Sequence, residues 1–193
     1  MTINNSYDHG DTKSASPVEV FEKINNHQLE GIMFHDSLIS LFDFLYLPGF
    51  KRWQMHQYKK ECKERVDLKR YVMKTRQKIL KDTIDKPSEE IVPSDWYGYT
   101  RFDVTPALRK QYIESIFVKY KEWEIKTKAL YEHCAKTLYE NGNIVDSCEV
   151  KKLAKCVDEE LACVNKYYLK LKAVAFDPEF VYELQHHLHK KYK

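Results

Sequence analysis

Helix breakers are sparse in this chain and fall in few places. The 193 residues hold five Gly and six Pro. Pro48-Gly49 and Asn141-Gly142-Asn143 form two tight stops, and Pro87, Pro93 and Gly98 crowd into residues 84–104. Pro17, Pro106 and Pro178 each follow Ser, Thr or Asp. That pairing marks a helix start, because Pro suits the first helical position and the residue before it can cap the exposed N–H groups. A sheet-rich fold needs turn residues throughout, so this punctuation dictates long helices.

The breakers divide the chain into helices at about 16–46, 50–83, 105–140, 147–175 and 177–191. Ser16 and Glu19 are spaced for a capping box. Residues 1–15 read as a disordered tail, and 16–193 as a single helical-bundle domain. The turns after the first and third helices span a few residues, so each joins antiparallel neighbours. Residues 84–104 are too long for such a turn and read as a crossover along the bundle. Trp96, Tyr97, Tyr99 and Phe102 would pack it down. The expectation is an all-α antiparallel four-helix bundle with one long crossover and a short extra C-terminal helix.

Charge narrows the function classes. Lys and Arg number 32 against 29 Asp and Glu, a formal net charge of +3. The two signs alternate, as on solvated helix faces. The excess is too small to argue for nucleic acid, and the basic end HHLHKKYK is the one feature that points that way. No apolar run approaches a membrane span, and the opening MTINNSYDHGDTKSAS lacks the apolar core of a leader. The five Cys are odd in number and hold no CxxC pair. Free thiols in a reducing, cytoplasmic setting are the expectation.

Helical phase shows which side chains face inward. Helix one presents Phe21, Ile24, Gln28, Gly31, Ile32, His35, Leu38, Ile39, Phe42 and Leu45, with Glu30 toward the edge. Helix two presents Phe50, Trp53, Gln57, Glu61, Glu64, Leu68, Tyr71, Thr75 and Ile79. Helix three presents Tyr112, Ile116, Tyr120, Trp123, Thr127, Leu130, Cys134 and Leu138, with Glu124 at the flank. Helix four presents Leu153, Cys156, Val157, Glu160, Val164, Tyr167, Leu171 and Val174. Glu64 and Glu160 thus fall on apolar stripes, with Glu61 close behind. A buried carboxylate needs a metal ion, a basic partner or a proton.

The segments INNHQLEGIMFHDSLISLFDFL and PGFKRWQMHQYKKECKERVDLKR resemble the first helical hairpin of ferritin-like proteins, bacterioferritin in particular. The likeness covers about residues 20–72 and, more loosely, 118–172. It implies a ferritin-like bundle. It also implies a di-iron site built from one Glu on each of two helices and a Glu-x-x-His on each of the other two. Carried over, the metal-ligating candidates are Glu30, Glu64, Asp67, Glu124 and Glu160. Asp67 and Cys163 stand where the two histidines would be, so the site reads as degenerate.

The sequence therefore favours a non-catalytic ferritin-like bundle acting through protein–protein interaction, either with a protein partner or as a homo-oligomer, and without a cofactor. The alternative is an iron- or manganese-binding redox or storage protein that uses the core carboxylates. Nucleic-acid binding through the basic end ranks third.

Overall fold

The computed structural model describes residues 15–83 and 100–193. Among them the chain forms α1 (Pro17–Phe44), α2 (Pro48–Arg76), a 3-10 turn (Arg101–Asp103), α3 (Pro106–Glu140), α4 (Ile144–Ala173) and α5 (Pro178–Lys191). α1 pairs with α2 and α3 with α4 as antiparallel hairpins, α1 lies on α3, and α5 packs on α2. No helix among the described residues is long and apolar enough to cross a membrane.

The helix starts follow the caps. Ser16 Oγ accepts from the Glu19 amide at 3.3 Å, and the Glu19 carboxylate accepts from the Ser16 amide at 2.6 Å. Thr105 Oγ1 accepts from the Leu108 amide, and Asp177 accepts from the Glu179 and Phe180 amides. Each cap satisfies N–H groups that the first turn leaves without partners. Pro48-Gly49 opens α2 instead of preceding it, and α4 begins at Ile144, a little ahead of the expected 147.

α2 ends at Arg76, with Gln77 in the left-handed region at φ 54, and does not continue to 83. Ile79, expected on its inner stripe, is exposed in consequence, and Thr75, in the helix's last turn, is exposed as well. The chain beyond the helix is tied to the hairpin by Asp82. Its carboxylate accepts from Arg65, Lys69 and Asn25, and those donors hold it well below the usual carboxylate range. α4 closes at Ala173, and Ala175 and Phe176 take positive φ before α5. Val174 therefore faces solvent, while Phe176 is buried.

The tail reading for 1–14 and the packing roles of Trp96, Tyr97 and Tyr99 lie outside the described residues. Phe102 does not pack on the bundle and is 95% exposed.

The buried apolar residues form two clusters. One surrounds Phe42, Phe50, Trp53, Phe117, Tyr120 and Leu171, at the end of the bundle that α5 covers. The other surrounds Phe21, Ile24, Leu68, Tyr131, Leu138 and Val150 at the far end. Between them, on all four long helices, the buried residues are polar: His27, Gln28, His35, Gln54, Gln57, Glu61, Glu124, Thr127 and Glu160.

Candidate functional site

This polar layer is built where an inward-facing position on each long helix carries oxygen or nitrogen in place of carbon. α1 supplies Gln28, 1% exposed; α2 supplies Glu61; α3 supplies Glu124, 2% exposed; α4 supplies Glu160. Gly31 leaves room for this arrangement. A Cβ there would stand 3.6 Å from Glu61 Oε2 and 3.4 Å from the Trp123 ring, so α1 approaches the carboxylate closely.

A lysine completes the layer. Lys60 on α2 donates to Glu160 Oε1 on α4, and its Nζ lies 3.7 Å from Glu64 Oε1 one turn along α2. Its side chain is 30% exposed, so the pair lies at the edge of the layer. Burial alone would lower its pKa, but Glu160 and Glu64 outweigh that and hold it firmly as an ammonium.

The carboxylates divide by whether they pair with that cation, as Glu64 and Glu160 do. Burial pushes Glu61 and Glu124 well above the usual range, and the charges of Glu160 and its neighbours push the same way. Burial also raises Glu64 and Glu160, but for these two Lys60 is the leading opposing influence. Glu124 Oε1 has no hydrogen-bond partner among the described residues, and the Gln28 amide has the Tyr131 hydroxyl near it without a full hydrogen-bond geometry. Such groups are costly in a core unless something meets them.

Two histidines border the layer, both neutral. His27 Nε2 lies 2.8 Å from Thr127 Oγ1, whose hydroxyl donates to the Trp123 carbonyl, and its ring stacks on Trp123 at 4.6 Å. Burial, with Lys126 and Lys23 nearby, lowers its pKa to about 3. His35 Nδ1 lies 2.8 Å from Gln54 Oε1, and burial lowers it to about 4.

The residues expected from sequence divide accordingly. Glu124 and Glu160 enter the layer, and Glu64 lines its edge through Lys60. Glu30 is only half-buried and lies 3.9 Å from His27 Nδ1. Asp67 is on the surface, with a side chain 55% exposed and 3.7 Å from Arg70, because the buried stripe of α2 runs through Gln57, Glu61 and Leu68 and Asp67 lies about 100° round the helix from Leu68. The α2 motif therefore reads Glu61-x-x-Glu64, one turn earlier than Glu64-x-x-Asp67.

A signal for that register was present in the numbering. Glu61 follows Gln28 by 61 − 28 = 33 residues, and Val157 follows Glu124 by 157 − 124 = 33. The two hairpins thus correspond, with Gln28 matching Glu124, Glu61 matching Val157, and Glu64 matching Glu160. Glu183, His186 and His187 sit on the exposed side of α5, outside this layer.

No family model matches the chain, and no curated protein does. Solved structures do. Two chains from crystal structures of an open pore ferritin from the hyperthermophilic archaeon Archaeoglobus fulgidus superpose with TM-scores of 0.72 and 0.74. They are 19% and 20% identical and cover 91% and 92% of this chain and 97% of theirs. The fold is that of the ferritin four-helix bundle.

A di-iron centre in this fold takes a Glu from each of two helices and a Glu-x-x-His from each of the others. The residues present do not fit that pair of metals. In the register Glu61-x-x-Glu64 and Val157-x-x-Glu160, both histidine positions would fall on glutamate, Gln28 would stand for one lone glutamate, and Val157 offers no donor. The Lys60 ammonium already binds two of the carboxylates that metals would take.

Proposed function

We propose that this chain is a non-catalytic ferritin-like bundle that acts by protein–protein association, with a second copy of itself as the partner. The outer side of α2 carries the reading. Met55, Cys62, Val66 and Met73 follow one another at spacings of 7, 4 and 7 residues, and Met55, Val66 and Met73 are 39%, 46% and 52% exposed. That spacing belongs to a helix-packing seam. Exposed methionines suit such a surface because they adapt to what covers them. Met33, also exposed, adds to the outer side of the same hairpin on α1.

The rival reading is a metal-binding redox or storage protein using iron or manganese. It draws on the unpartnered Glu124 Oε1. The resident ammonium of Lys60 speaks against it, since a second cation would have to displace the first.

Size-exclusion chromatography with light scattering tests association. Wild-type protein is expected to run as a dimer or larger assembly. The M55E/V66E double variant is expected to run as a monomer with unchanged helical circular dichroism. A wild-type monomer, or an assembly that both charges leave intact, would contradict the proposal.

A further inference from the structure

We infer that Lys60 is the built-in cation of the polar layer: its ammonium holds the place of a divalent metal ion, and its removal would open a site for one. The inference rests on the reading that the wild-type chain holds no metal.

Three observations carry it. The Lys60 ammonium joins Glu160 on α4 to Glu64 on α2, bridging two helices between carboxylates as a metal ion would. Gln28, Glu61 and Glu124 are buried in the same layer on α1, α2 and α3, although among the described residues no three His, Cys, Asp or Glu side chains already stand together as a metal site. Oxygen-only donors suit a hard cation such as Mn²⁺. Finally, Glu124 Oε1, on a buried side chain, has no hydrogen-bond partner among the described residues, so the layer is not closed by its own hydrogen bonds. One positive charge among four carboxyl groups leaves capacity for a doubly charged ion.

The variant that tests this is K60M, which keeps the apolar stem and removes the charge. Isothermal titration with MnCl₂ reads binding. K60M is expected to bind Mn²⁺ at least ten-fold more tightly than wild type, and K60M/E160Q is expected to lose the gain. K60R, which keeps a cation, is expected to behave as wild type. If apo K60M does not fold, refolding in MnCl₂ is the readout: recovery of the helical signal with Mn²⁺ supports the inference, and its absence overturns it. Folded K60M that binds Mn²⁺ no better than wild type overturns the inference alone. Stoichiometric Mn²⁺ on the wild-type protein overturns both the inference and the metal-free reading beneath it.

Discussion

At the scale of single residues, the core of this bundle is organised by where protons sit. Glu124 is buried without a cation of its own, and burial lifts its pKa well above the ordinary carboxylate value of 4.5. The native state therefore keeps a proton that the unfolded chain releases. Stability falls as pH rises past about 4.5, since more protons bind in the native state than in the unfolded one. E124Q removes that dependence while preserving shape. Urea denaturation should show the variant gaining on wild type between pH 5 and pH 8. A wild-type advantage that grows toward pH 8 would mean that Glu124 is ionised and held by a cation. Helical phase alone placed Glu64, Gln28 and Glu160 near the axis, and it marked Glu124 as a flank residue. It could not separate Glu61 from Glu64, because residues three apart on a helix share a face. The sideways reach of Lys60 was invisible for another reason: Glu160 is 100 residues away in sequence, and the adjacent Glu64 looks like an ordinary surface partner at i, i+4.

At the scale of elements, the starts of helices were legible and their ends were less so. Ser16-Pro17, Thr105-Pro106 and Asp177-Pro178 state their roles chemically. The end of α2 has no Gly or Pro to announce it. The helix stops where Gln77 adopts φ 54 and Arg76 turns to Asp146 and Asn143 on α4. Those partners are tertiary, and no local pattern encodes them. Pro48-Gly49 reads in sequence only as a stop, and its second role is to admit α5. A Cβ on Gly49 would fall 1.7 Å from the Gln185 carbonyl oxygen, a backbone atom that cannot step aside. G49A should therefore push α5 off α2 and cost about 1–3 kcal/mol, as overpacking does. Chemical denaturation reads the loss, and faster proteolysis of α5 identifies its cause. An unchanged midpoint would show that α5 is not seated there.

At the scale of the whole molecule, the bundle follows from the distribution of breakers, and that is why it was legible in the amino-acid order alone. Long unbroken helices, two short turns and one long connection leave few packings open. The two proposals made for this fold rest on two surfaces of α2: an outward seam of Met55, Val66 and Met73, and an inward edge where Lys60 meets Glu160. The second is the central claim, because it decides whether the scaffold holds its own cation. Acetylation of the native protein, read residue by residue by mass spectrometry, tests it most directly. Lys60 is exposed enough for the reagent, with 30% of its side chain accessible, so pairing and not access governs its rate. The account predicts that Lys60 reacts several-fold more slowly than exposed Lys63 in wild type and gains reactivity in E160Q. Equal rates for Lys60 and Lys63 in the wild-type protein would contradict it.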